Sequence, residues 1–210
     1  MKKYIKSAIT PISSESPDSQ ALIARDPNTT PEVLEQLYYD NKSSLDWETR
    51  YYICLELAAN PNTPVDILEQ LSDGLKVDHR IRREVAANPS TPVDILQKLV
   101  RGSGYDVCRA VAENPNVSEE LLRKIASLVP CEYDKDMYSM MLCAVAENLK
   151  TPVDILKKLS QNPDHYVRAM VAANPNTPDE VIEDLLQDED YYVQSYLGKN
   201  PRINEILGDA

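Results

Sequence analysis

The chain has 210 residues, a formal net charge of −12, no Phe, one Trp, twelve Tyr, fifteen Pro and only five Gly. That charge argues against bulk attraction to nucleic acid or an anionic membrane, both of which need positive potential, and no apolar run nears the roughly 18 residues that span a bilayer. Apolar residues make up 42%, adequate for a core of Leu, Ile, Val and Ala, and the many prolines suit short stiff joints rather than flexible linkers.

The opening stretch, MKKYIKSAITPISS, has lysines but no continuous apolar run, so a secretory signal is not expected and residues 1–20 read as a polar lead-in. The four Cys lie at irregular spacings, which suits a reducing, cytoplasmic compartment. From residue 21 onward one phrase returns. It reads ARDPNTTPEVLEQL, AANPNTPVDILEQL, AANPSTPVDILQKL, AENLKTPVDILKKL and AANPNTPDEVIEDL. The Asn of that phrase stands at Asn60, Asn88, Asn114, Asn148, Asn174 and Asn200, with Asp26 in the same role at the start. Repeats of this length indicate a stack of supersecondary units, and residues 21–210 are expected to form a single repeat domain of about seven short two-helix units.

Each unit predicts a first helix before the Asn. Ile53, Ile81, Val107, Met141, Val167 and Val193 stand seven residues ahead of it, and Leu57, Val85, Val111, Val145, Val171 and Leu197 three ahead. That spacing, with an adjacent small Ala, is a helical face. Asp78, Asp164 and Asp190 are placed to cap this helix. The Asn then closes it, because Asn tolerates the left-handed conformation common at helix ends and its amide bonds nearby backbone. The second helix is expected to start at Thr63, Thr91, Thr151 and Thr177 as N-caps, with the following Pro in the first helical position and an acid three beyond the Thr. The phrase is therefore read as a joint that stops one helix and starts the next. Two longer steps carry insertions, around Asp40–Trp47 and Val129–Asp136.

The pattern from Val167-Arg168 to Leu185, VRxxVAANPNTPxxxLxxL, resembles the leucine-rich repeat variant family, found mainly in bacteria, and the resemblance covers about Ala21 to Leu207. It implies an all-α, right-handed superhelix, a HEAT- or armadillo-like α-solenoid without β-sheet, in which an α-helix alternates with a 3₁₀ or short second helix. It implies no settled activity. One kind of member carries an iron–sulfur cluster on a Cys-rich N-terminal segment; here the first Cys is Cys54, inside a repeat, and no cofactor is expected.

Stacked repeats turn single positions into stripes. Tyr51, His79, Tyr105, His165 and Tyr191 share one repeat position, nine before the Asn, and predict a ridge suited to a protein or peptide partner. Arg80, Arg82 and Arg83 concentrate positive charge on one helix, and Arg109 and Arg168 fall at or beside the position of Arg82. That stripe is the second reading, a nucleic-acid contact. A third reading is a metal or redox site of Cys108, Cys131 and Cys143, although no C-x-x-C occurs. The two His residues stand at equivalent positions three repeats apart, which helix packing distances put about 30 Å or more from each other, and no nucleophile–base pattern is visible, so the expected function is a non-enzymatic interaction scaffold.

Overall fold

The computed structural model describes residues 15–43, 46–73, 78–130 and 134–208. Most of the lead-in, parts of both insertions and Cys131 lie outside them. Among the described residues there are fourteen helices and no strand. They are α1 Pro17–Arg25, α2 Pro31–Asn41, α3 Trp47–Ala59, α4 Val65–Ser72, α5 His79–Ala87, α6 Val93–Val100, α7 Tyr105–Glu113, α8 Glu119–Ala126, α9 Lys135–Glu147, α10 Val153–Leu159, α11 His165–Ala173, α12 Asp179–Leu185, α13 Tyr191–Leu197 and α14 Ile203–Gly208. The second helices are α-helical rather than 3₁₀. The contacts gather the chain into two compact units, Met1–Ile95 and Leu96–Ala210, with the boundary inside α6.

Each unit is built the same way. In the first, α1 packs on α3 and α3 on α5; in the second, α7 packs on α9, α9 on α11 and α11 on α13. Within each unit second helices touch the first helix of the next pair, as α4 touches α5 and α10 touches α11. The apolar spacing explains this. Ile53, Leu57 and Ala58 of α3 and Val167, Val171 and Ala172 of α11 are all buried, as are Ile67, Leu68 and Leu71 of α4 and Val181, Ile182 and Leu185 of α12. Each buried Ile, Leu or Val among them contributes on the order of 2 kcal/mol. The exposed ion pairs between second helices, Arg123–Asp154 and Lys157–Glu180, are screened by solvent and contribute little. Packing, not charge, holds the stack. The insertions lengthen the first helix: α3 and α9 have 13 residues where α5, α7 and α11 have 9.

The first helices start as expected. Asp78, Asp164 and Asp190 accept from the backbone N–H of Arg80, Tyr166 and Tyr192. Two details of the joint differ from the sequence reading. The Asn residues are not left-handed; Asn60, Asn88, Asn114, Asn148 and Asn174 are extended, with φ between −65 and −75°. Nor does Thr cap the second helix. The N-cap of α4, α10 and α12 is the proline, Pro64, Pro152 and Pro178, and its carbonyl accepts the first helical bonds, as Pro64 does from Ile67 and Leu68. The Thr hydroxyl instead donates backward. Thr63 Oγ1 bonds the carbonyl of Leu57 at 2.6 Å, Thr91 that of Val85 and Thr177 that of Val171 at the same distance, and Thr151 that of Val145. These hydroxyls are buried. A buried O–H needs an acceptor, and the carbonyls of Leu57, Val85, Val145 and Val171, which each accept the backbone N–H of the Asn three residues on, have a second lone pair to offer.

Candidate functional site

The joint is the most repeated piece of geometry in the chain. In the first unit the Asn60 side-chain amide donates to the carbonyls of Ala24 and Asp26 at 2.7 and 2.9 Å, and that of Asn88 to Ala58 and Asn60, both at 2.8 Å. In the second unit Asn148 donates to Ala112 at 2.6 Å, Asn174 to Ala146 and Asn148 at 2.7 and 3.2 Å, and Asn200 to Ala172 and Asn174 at 2.7 and 3.0 Å. Each side-chain oxygen accepts from the backbone N–H two residues on, as Asn114 does from Asn116 at 2.8 Å and Asn174 from Asn176 at 2.9 Å. Both ends of the amide have protein partners, and Asn60, Asn88, Asn114, Asn174 and Asn200 are buried.

A second tier follows two residues later, which the sequence reading missed. Asn62 Nδ2 donates to the carbonyls of Pro27 and Thr29, Ser90 Oγ to Pro61, Lys150 Nζ to Pro115 and Val117, Asn176 Nδ2 to Leu149, and Arg202 Nη1 to Thr177. Any side chain with a donor serves there, so the residue type varies while the geometry repeats.

The Tyr/His positions are less uniform than a ladder. Tyr51 is edge-on to Tyr52 at 5.4 Å and is covered by the Arg80 guanidinium of the next repeat at 5.0 Å. Tyr105 donates its hydroxyl to the carbonyl of Val129 at 2.7 Å and packs on Tyr138, binding the second insertion to α7. His79 sits beside Asp78 on the surface. The rings gather on α11 and α13 of the second unit. His165 stacks on Tyr192 at 5.6 Å, Tyr166 lies 5.3 Å from Tyr192, and Tyr191 packs edge-on to Tyr192. The contact between repeats thus passes from position nine to position eight before the Asn: Arg80 covers Tyr51, and Tyr192 covers His165. In the first unit Tyr52 is exposed; in the second Tyr166 and Tyr192 are exposed, with Tyr191 78% exposed beside them. Mutual proximity to Tyr192 raises the Tyr166 phenol above its usual range.

The basic residues are mostly matched. Arg80 bonds Asp78 at 3.2 Å, Arg83 bonds Glu84 at 2.7 Å and Arg109 bonds Glu113 at 2.8 Å. Arg168 is built into the fold. Its guanidinium makes a two-point bond to Asp188 at 2.6 and 3.2 Å and donates to the carbonyls of Asn162 and Pro163. That bond holds the Asp188 carboxyl below the usual carboxylate range. Gln194, at the equivalent place in α13, donates to the carbonyls of Leu185, Leu186 and Asp188. This position therefore clamps the connector between repeats. Arg82 occupies it in α5, with Nε buried and without a partner among the described residues.

Cys54 and Cys108 are buried and Cys143 is half-buried. Burial pushes each of the three thiols up to about 11. Among the described residues no three His, Cys, Asp or Glu side chains are grouped to hold a metal ion. No described helix is long and apolar enough to cross a membrane.

Two grooves lie on the faces of the first helices. In the second unit, α7, α9 and α11 enclose about 810 Å³ over Met140, Cys143, Ala144 and Met170, with Tyr166 and His165 at one side. In the first unit, α1 and α3 enclose about 470 Å³ beside Leu22 and Tyr52.

Fold and joint together define a class, a protein of stacked helix pairs locked by an Asn ladder. The family model described as leucine rich repeat variant matches residues 167–190, which run from the third residue of α11 through its joint and α12, and supports the family resemblance. No curated protein matches the chain, and no solved structure matches it.

Proposed function

We propose that the chain is a non-enzymatic scaffold that binds a protein or peptide partner along the faces of its first helices. The observation that carries this reading is the exposed ring cluster of His165, Tyr166, Tyr191 and Tyr192. These rings pack on each other, not into the core, and Tyr166, Tyr191 and Tyr192 remain solvent-exposed. Tyrosines so placed offer apolar area with a polar tip and few torsions to freeze, which favours association. The nucleic-acid reading has less support. Arg80, Arg83, Arg109 and Arg168 each face a carboxylate, so phosphate contact would have to break an existing pair.

A photo-reactive residue in place of Tyr191 tests the reading in cells, with one in place of Val153, exposed at the start of α10, as control. Protein adducts at residue 191 that are absent at 153, and that weaken in Tyr192→Ala, are expected. Equal adducts at both sites, or nucleic acid alone at 191, would overturn it.

A further inference from the structure

The groove over α9 has a composition that selects its occupant. Its floor is apolar and soft, from Met140, Met170 and Ala144. Met140 is 45% exposed on a helix that otherwise buries its apolar face. Its walls carry the carboxylates of Glu113, Asp136, Glu147 and Asp164 against one guanidinium, Arg109, and Arg109 is already bound to Glu113. The smaller groove between α1 and α3 repeats the composition: Leu22 and Tyr52 over a rim of Asp18, Asp46, Glu48 and Glu56, with Arg25 alone opposing them. The floors of both grooves come from positions eight and four before the Asn or its Asp26 counterpart, Met140 and Met170 in one and Tyr52 and Leu22 in the other, while the acids of the rims, apart from Asp136 and Glu48, stand at different positions. Methionines accommodate side chains of varied shape, and a volume of 810 Å³ holds one or two large apolar side chains.

We infer that the groove formed by α7, α9 and α11 binds a basic peptide segment, in which one or two apolar side chains enter over Met140 and Met170 and flanking Lys or Arg face Asp136, Glu147 and Asp164. The inference rests on the scaffold reading and names the chemistry of the partner. Opposite charge speeds encounter and fixes orientation, while the buried apolar side chain supplies most of the affinity. An acidic segment would meet the like charges of Asp136, Glu147 and Asp164 and be rejected.

The test uses the full chain labelled at its methionine methyl groups, titrated with a synthetic amphipathic Leu/Lys peptide, its Leu/Glu counterpart and a Lys-only peptide. Met141 is fully buried and serves as internal reference. The Leu/Lys peptide is expected to shift the Met140 and Met170 methyls and leave Met141 in place. Its binding should weaken about tenfold in Asp136→Asn/Glu147→Gln, as expected for two lost surface charges. The Leu/Glu and Lys-only peptides should leave Met140 unshifted. Binding of the Leu/Glu peptide as tightly as Leu/Lys, Lys-only binding of equal strength, or Leu/Lys binding without a shift at Met140 and Met170 would each overturn the inference. The scaffold reading fails separately, by loss of the adducts at residue 191, whatever the peptides do.

Discussion

Asn200 donates its side-chain amide to the backbone carbonyl of Asn174 at 3.0 Å, and Asn174 donates in turn to that of Asn148 at 3.2 Å. The same carbonyl also accepts the backbone N–H of the Thr three residues on, Thr177 in the case of Asn174 and Thr151 in the case of Asn148. One residue thus ends a helix, closes a turn and ties its repeat to the one before. The opening phrase of each unit is repeated because that three-way junction must be rebuilt at every step.

Replacing Asn174 by Ala removes both cross-repeat donors and the Asx turn in a buried site, at a cost of about 3 kcal/mol in chemical denaturation. Asn176→Ala removes one exposed bond to Leu149 and should cost about 0.5–1 kcal/mol. Equal costs would remove the distinction between the two tiers.

The Thr assignment is tested by donor chemistry. As a backward donor, Thr177 tolerates Ser but not Asp, because an ionised carboxylate cannot donate and is buried here. Thr177→Asp should cost about 3 kcal/mol or more and Thr177→Ser about 1 kcal/mol or less. An N-cap Thr would show the reverse order, since Asp is a good cap.

That difference was partly legible. In NPNVSEELL the Thr position holds Val117, which is buried, and Ser118 one residue later caps α8 through the Leu121 N–H. An apolar residue where a cap is expected signals that the position faces the core and that the helix begins one residue on. The general capping-box pattern outweighed that single exception. The helix pairs and the core were readable because apolar spacing at seven, three and two before the Asn repeats with little noise. The surface was harder. Positions eight and nine before the Asn are adjacent in sequence, and which of them is covered depends on the next repeat: Arg80 over Tyr51, Tyr192 over His165. The connector clamp of Arg168 and Gln194 was hidden in a charge pattern, since one of the two is neutral.

The Arg168–Asp188 pair predicts an acid-sensitive repeat interface. Its side chains are 19% and 14% exposed. Asp188 has a folded-state pKa below 3.8, so its stabilisation is complete above the unfolded value and is lost as pH falls through the lower folded value. Wild type should exceed Asp188→Asn in stability at pH 6, and the gap should close as pH falls through the lowered folded value of Asp188. A gap that is constant with pH would contradict this. Arg168→Ala should cost about 2 kcal/mol at neutral pH.

The thiols should be slow. With Cys143 pushed up to about 11, its reaction with a disulfide reagent should accelerate about tenfold per pH unit between pH 8 and 10. Cys54 and Cys108, both buried, should follow only on unfolding. Rapid reaction at pH 7 would show an activated thiol.

The most direct test of the ladder is hydrogen exchange of the side-chain amides of Asn60, Asn88, Asn174 and Asn200, each of which donates to two carbonyls, read against the exposed amide of Gln70. Both protons of each Asn amide should exchange as slowly as the core backbone amides. Exchange at the rate of Gln70 would contradict the account, because the repeats would then be stacked by packing alone.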